Sequence, residues 1–158
     1  MKKPLILAMT ALSVAVVAAC TIDDKMNTCV KQEESIESFI ANHYADSTVY
    51  VTDTGISRIV MVHGNGPEAK KGDSVLFSYQ GYNFKNGPSD QFAEGSFKAK
   101  LGSKDLVIGL DEGMVGMQPG EEAYIAFSAR YGFYDESVGT VDPMTALIYY
   151  VTLEDILK

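Results

Sequence analysis

Two histidines, His43 and His63, are the only side chains in this 158-residue sequence whose ordinary pKa lies near neutrality. A hydrolytic mechanism built on an activated hydroxyl or thiol would have to use one of them as its base. Neither has an acid partner beside it, and no Gly-x-Ser-x-Gly turn exposes a serine. His43 closes an amphipathic run and His63 adjoins a glycine-rich turn, so both read as structural or exposed histidines. A metal centre fares no better, because no His/Cys pair has ligand spacing. Asp111 and Glu112 are adjacent carboxylates, but they open a short helical segment, where acids favour the exposed N–H groups. "GNGPEAKKG" lacks the spacing of either phosphate-loop motif and reads as a surface turn. No cofactor is called for. With a net charge of −8 and no stripe of Lys and Arg, nucleic acid is excluded as a partner.

What the sequence concentrates instead is aromatic surface. Phe77, Tyr79, Phe92, Phe97, Phe127, Tyr131, Phe133 and Tyr149 fall on inward-reading positions, and a small sheet could hardly bury them all. Phe77 and Phe127 read as core, and the remainder predict an apolar cleft lined by rings.

The elements that must hold this cleft can be read from periodicity. "SVLFSYQGY" alternates Val75, Phe77 and Tyr79 against Leu76, Ser78 and Gln80, the pattern of a half-buried antiparallel strand. "SFKAKLG" repeats it with Phe97, Ala99 and Leu101, "PGEEAYIAF" with Ala123, Ile125 and Phe127, and "ALIYYVTLEDIL" with Leu147, Tyr149, Val151 and Leu153. "STVYVTDTGISRIVMV" adds two β-rich runs. Between strands, "VIGLDEGMVGM" places Leu110, Met114, Val115 and Met117 at helical spacing, although Gly109, Gly113 and Gly116 each cost a helix up to about 1 kcal/mol. A short helix lying across the concave face of a curved sheet must approach it closely, and glycines remove the side chains that would hold it off. Leu110 is then left between helix and sheet. The expected fold is α+β: a curved antiparallel sheet of about five strands wrapped around one short helix.

Ahead of it, "QEESIESFIANHY" sets Ile36, Phe39, Ile40 and His43 on one face of an amphipathic helix. That face calls for a partner, either the domain or a second copy of the chain. Residues 20 to 31 are polar and aperiodic and read as a tether, with Cys29 solvated. The first residues form an export signal: Lys2 and Lys3, then the apolar "PLILAMTALSVAVVAA", then small residues before Cys20. Val17-Ala18-Ala19-Cys20 resembles the lipobox of bacterial lipoproteins, with Cys20 as the lipidated first residue of the mature chain. An ordinary secretory cleavage site abutting a cysteine is the alternative. "TIDDK" resembles the short acidic signal that sends some Bacteroidetes lipoproteins to the outer surface, although any solvated linker can carry two aspartates. The division is therefore a lipoprotein signal over 1–19, a lipidated tether and amphipathic helix over 20–47, and a domain over 48–158. The expected location is the bacterial cell envelope, as an outer-membrane lipoprotein facing the periplasm or the surface.

In order and spacing, "GDSVLFSYQGY", "NG" with a following Phe, "FKAKLG", "VIGLDEGMVGMQPGEEAYIAF", "YG" and "VDPMTALIYYVTL" resemble the FKBP family of peptidyl-prolyl cis-trans isomerases over about residues 66 to 154. The resemblance implies a pocket into which a substrate proline inserts, with proline-containing polypeptide segments as partners and no metal or cofactor. It assigns catalytic positions to Tyr79, to Val107, whose backbone N–H would hold the substrate carbonyl, and to Tyr131, whose hydroxyl would reach the substrate. An alternative alignment puts Phe133 in that last place. Phe92, Phe97, Leu110 and Tyr149 take substrate-binding positions, Leu110 standing on a pocket floor that is often tryptophan. Three departures stand out: Ala93 replaces the aspartate after Phe92, the loop from Tyr82 to Gln91 looks longer than usual, and Asp142 stands where proline is common.

Overall fold

The computed structural model describes residues 4–157, with side chains described from residue 21 onward, so the leader over 1–19 and the anchor at Cys20 lie outside the described side chains. A long helix, α1 (Pro4–His43), leads into six strands: β1 (Val49–Val51), β2 (Ser57–Val62), β3 (Ser74–Phe84), β4 (Pro88–Lys100), β5 (Glu122–Phe127) and β6 (Leu147–Leu157). The short helix α2 (Ile108–Gly113) falls between β4 and β5. All pairings are antiparallel and the strands lie in the order β1-β2-β5-β6-β3-β4. The architecture is the α+β one expected, with one more strand because the three residues of β1 pair with Ser57, Arg58 and Ile59.

Strand alternation divides the residues between two faces. On the concave face Val75, Phe77, Ile125, Phe127, Leu147, Val151 and Leu153 are fully buried with Leu110, Met114 and Met117 from the α2 region. The opposite face holds a smaller cluster in which Ile36 of α1 meets Phe84, Ala126, Ala146 and Ile148, with Phe39 and Ile40 packed against it. β6 is thus apolar on both faces at Leu147, Ile148 and Tyr149, which suits a strand covered from two sides.

The glycine expectation holds at two of its three positions. A Cβ on Gly109 would lie 2.2 Å from the Phe127 ring, and one on Gly113 would lie 2.4 Å from Cγ2 of Ile125. Only the missing side chains let α2 sit down on β5. Gly116 has another reason: its φ of +90° is left-handed backbone, and its N–H donates to the distant Ala69 carbonyl at 2.7 Å, tying the end of the α2 region to the β2–β3 segment. Helix α2 ends at Gly113 rather than running to Met117.

Four expectations need correction. Residues 21 to 31 are helical and continuous with the amphipathic segment, so no flexible tether separates the two. Cys29 is fully buried rather than solvated. His43 is exposed, and Tyr44 completes the docked face by meeting Tyr124 at 6.3 Å. The segment from Tyr82 to Gln91 is mostly strand: Tyr82 pairs with Gln91 and Phe84 with Pro88 around a tight turn at Asn86 and Gly87, both at positive φ.

Candidate functional site

Where β3, β4, β6 and the approach to α2 meet, the concave face opens into a cleft of about 340 Å³. Its centre is Tyr149 of β6, which is 5% exposed. That ring stacks on Phe127 at 5.9 Å and 18°, meets Phe92 edge-on at 5.6 Å and 89°, and lies 6.1 Å from Tyr79. Gly81 makes the cluster fit, since a Cβ there would stand 2.8 Å from Phe92 and 2.9 Å from Tyr149. Tyr79 follows from strand alternation with Phe77, whose ring is 5.9 Å away. Burial, then the charge on neighbouring Tyr79, raises the pKa of the Tyr149 hydroxyl far above its ordinary value, so this group stays protonated.

The opposite side of the cleft is Leu110, 4% exposed, presented by α2. Val107 precedes that helix, in extended conformation (φ −59°, ψ 145°), and its carbonyl accepts the Leu110 and Asp111 N–H groups at 3.1 and 3.0 Å. As the residue before the first turn, its own N–H has no place in the helical ladder. The α2 approach is fixed from two sides. Asp111 is the acid in the first turn of α2, as expected, and both its carboxylate oxygens also accept the Gly102 N–H at 3.0 Å, tying the β4–α2 loop to the helix. At the far end, the buried Arg58 of β2 donates to the Gly113 and Val115 carbonyls at 3.2 and 2.7 Å. Its Nε stands 3.3 Å from Oε1 of the equally buried Glu121, and Tyr50 covers its guanidinium at 4.6 Å. Burial lowers the Arg58 pKa, against the pull of Glu121.

The structure brings Tyr79, Phe92, Phe97, Val107, Leu110, Phe133 and Tyr149 together around this cleft. It leaves Tyr131 out. Tyr131 ends a 3₁₀ turn (Ala129–Tyr131) and packs on the core beside the Arg130 guanidinium, whereas Phe133 faces Phe92 at 6.2 Å and lines the cleft. Of the two alignments, the one with Phe133 in the cleft agrees with the geometry, and that position carries no hydroxyl. Phe97 is not the inward residue its alternation implied. It is 43% exposed at the mouth, because β4 is the edge strand and α2 does not extend over it. Ala93 also lines the cleft, so the missing aspartate would have faced it.

Sequence reasoning missed Asp105, Leu106, Val138 and Thr140, which complete the rim. They sit on loops with no periodicity, and only their nearness to Val107 or to the "YG" segment could have suggested them. Among the described residues no three His, Cys, Asp or Glu side chains converge as a metal site.

The family model for FKBP-type peptidyl-prolyl cis-trans isomerases matches residues 66–154. The chain belongs to that family. Among FKBP relatives, FK506-binding protein 1 of Gibberella zeae is 30% identical over 109 residues, which cover 65% of this chain and 98% of that protein. FK506-binding protein 2 of Podospora anserina is 32% identical over 87 residues, covering 53% and 47%. Among solved FKBP-like structures, FkpA from Escherichia coli superposes with a TM-score of 0.65 at 17% identity, covering 99% of this chain and 73% of that one. A peptidyl-prolyl cis-trans isomerase from Pseudomonas syringae gives 0.65 at 19%, covering 84% and 96%. At these identities the superpositions speak for the fold, an FKBP sheet with helical sequence ahead of it.

Proposed function

We propose that the cleft binds X-Pro segments of polypeptides and catalyses their cis–trans isomerisation, assisting exported proteins to fold. Peptide rotation meets a barrier of about 18–20 kcal/mol, and X-Pro bonds relax over tens to hundreds of seconds. The transition state is a twisted amide that has lost its resonance, so a site accelerates the step by holding that geometry better than the planar one. No nucleophile or base takes part. The observation that carries the proposal is an apolar, ring-lined recess with Val107, the residue before α2, among the residues that line it. The prolyl ring would sit on Tyr149 between Tyr79, Phe92 and Leu110, desolvated, while the Val107 N–H fixes a flanking carbonyl.

The decisive experiment follows catalysed cis–trans exchange of a proline tetrapeptide by NMR. Tyr79→Ala, which removes one ring of the recess, should lower kcat/KM by about tenfold or more while the fold persists. A folded Tyr79→Ala variant as fast as the parent sinks the site assignment. A second reading has its own support: Ala93 and Phe133 leave the recess poor in polar groups that could strengthen in the transition state. On that reading the domain holds proline-containing or apolar segments without turning them over, and peptide binding with no exchange would select it.

The same proposal places the protein in the cell envelope, anchored through lipid on Cys20. Among the described residues no helix is long and apolar enough to cross a membrane. Cys20→Ser should abolish lipidation and move the protein out of the membrane fraction; retention there would remove the anchor. A homodimer through α1 draws support from Ile22, Met26 and Val30, which recur every fourth residue and stay 62%, 47% and 42% exposed. Light scattering that finds a monomer at all concentrations would end that idea.

A further inference from the structure

One wall of the cleft is a long loop between β5 and β6. It contributes Phe133, Val138, Gly139 and Thr140, and its regular structure is limited to the 3₁₀ turn and an isolated bridge between Val138 and Val141. Such a loop is expected to be mobile unless something outside it closes its base. The base is closed from the far side of the sheet. The side-chain amide of Gln32 on α1 accepts the Ala129 N–H on Oε1 at 2.9 Å and donates from Nε2 to the Met144 carbonyl at 2.7 Å. Both halves of one amide are therefore spent on the two ends of the loop. Within the loop the Tyr134 N–H donates to the Ala129 carbonyl at 2.9 Å and the Met144 N–H to the Tyr134 carbonyl at 2.6 Å, so Gln32 completes a ring of contacts next to Phe133. Met144 is held at φ +58°, a conformation costly for a residue with a side chain. Beside it, Glu33 accepts the Ser128 hydroxyl at 2.8 Å and pairs with Arg130 at 3.0 Å.

We propose that Gln32, with Glu33 in support, is a positioning residue for the cleft: α1 sets the place of Phe133 by stapling both ends of the loop that carries it. The proposal rests on the cleft being the substrate site. Among the described residues of α1 none lines that cleft, so their effect passes through the loop. An amide is required for it, since a carboxylate keeps the acceptor for Ala129 but turns a repelling oxygen toward the Met144 carbonyl, and a leucine supplies neither bond.

The test uses the full chain with Gln32→Leu, Gln32→Glu and, as a control on an exposed face of α1, Glu34→Ala. Three quantities are read: exchange of the Ala129 amide with deuterium, the Kd of a proline tetrapeptide by NMR titration, and its catalysed exchange rate. Gln32→Leu should speed Ala129 exchange about tenfold and weaken peptide binding about fivefold, with the loss in KM rather than kcat, because the wall is displaced while the recess remains. Gln32→Glu, which keeps one bond, should leave Ala129 protected yet still weaken peptide binding, by about twofold. Glu34→Ala should match the parent in all three. Faster Ala129 exchange with parental peptide affinity would overturn the proposal and leave Gln32 a structural contact, and unchanged exchange in Gln32→Leu would overturn the staple itself. A parent that binds peptide without catalysing exchange defeats the isomerase reading alone, since the Kd arm still decides the role of Gln32.

Discussion

The two faces of the sheet are held by different means. On the concave side shape does the work: Gly109 and Gly113 bring α2 down onto Phe127 and Ile125, and the rings of Tyr149, Phe92 and Tyr79 fill what remains. On the convex side, among the described residues of α1 only Cys29 and Ile36 are buried, and much of its attachment is polar, through Gln32, Glu33 and the Lys25–Asp135 pair at 2.7 Å. Surface pairs of that last kind contribute little to stability. The concave side should therefore decide whether the domain folds, and the convex side how its loops are set.

The comparison is tested first at Arg58, where the largest effect is expected. Arg58→Met strands the buried Glu121 and removes the donors to two carbonyls at the end of α2, which should cost about 3–5 kcal/mol in urea denaturation. Adding Glu121→Met should restore part of the loss; a single variant as stable as the parent would mean the pair is not buried in solution. Gly109→Val comes next, at about 3 kcal/mol, because the new side chain must push α2 off the Phe127 ring. If it is tolerated, close approach is not what holds the helix. On the convex face Ile36→Ala should cost less, about 2 kcal/mol, since the cluster around it is small and can partly collapse. A loss exceeding that of Gly109→Val would reverse the ranking of the two faces. Smaller still is Phe133→Tyr, which returns a hydroxyl to the cleft: one added hydrogen bond of about 1 kcal/mol in the transition state gives about fivefold in kcat/KM with no change in stability.

The smallest effect concerns pH. The unfolded chain releases the Tyr149 proton near its ordinary pKa of 10, while the folded chain keeps it to higher pH. A raised folded-state pKa contributes stability that is complete below the unfolded value and declines above it. The denaturation midpoint should therefore fall between pH about 9 and about 11, more in the parent than in Tyr149→Phe. Equal slopes would place the Tyr149 hydroxyl in water.

The same contrast explains what could be read from the residues alone. A missing side chain is a local signal, so the spacing of Gly109 and Gly113 announced close packing, and period-two alternation placed Phe77, Tyr79 and Tyr149 on one face. Alternation does not say where a neighbouring layer ends, which is why Phe97 was expected inside and stands at the mouth. Arg58 was legible in principle, as a charged residue at an inward position between Ile56 and Val60, and implied a buried partner that nothing nearby identified. The choice between Tyr131 and Phe133 turned on an aperiodic loop. Gln32 was hidden for another reason: its partners, Ala129 and Met144, lie far along the chain, and a polar helix whose contacts are long-range looks like a linker. The cleft was read mainly through its resemblance to a family, and its loops only through the structure.

The position of β6 in the sheet order bears on how the chain comes off its template. β6, which follows the other five strands along the chain, pairs on both sides, with β5 and with β3. A chain emerging from a ribosome can close the β3–β4 hairpin early, but β5 has no link to that hairpin until β6 has emerged. Through that interval the inner edge of β3 is unpaired and Phe77 lies open to other chains, the kind of edge that seeds aggregation. Assembly must then close contacts of long sequence separation, a slow route to the native state. A protein that we propose attends to slow steps in the folding of others is itself a late closer, open to capture until β6 is in place.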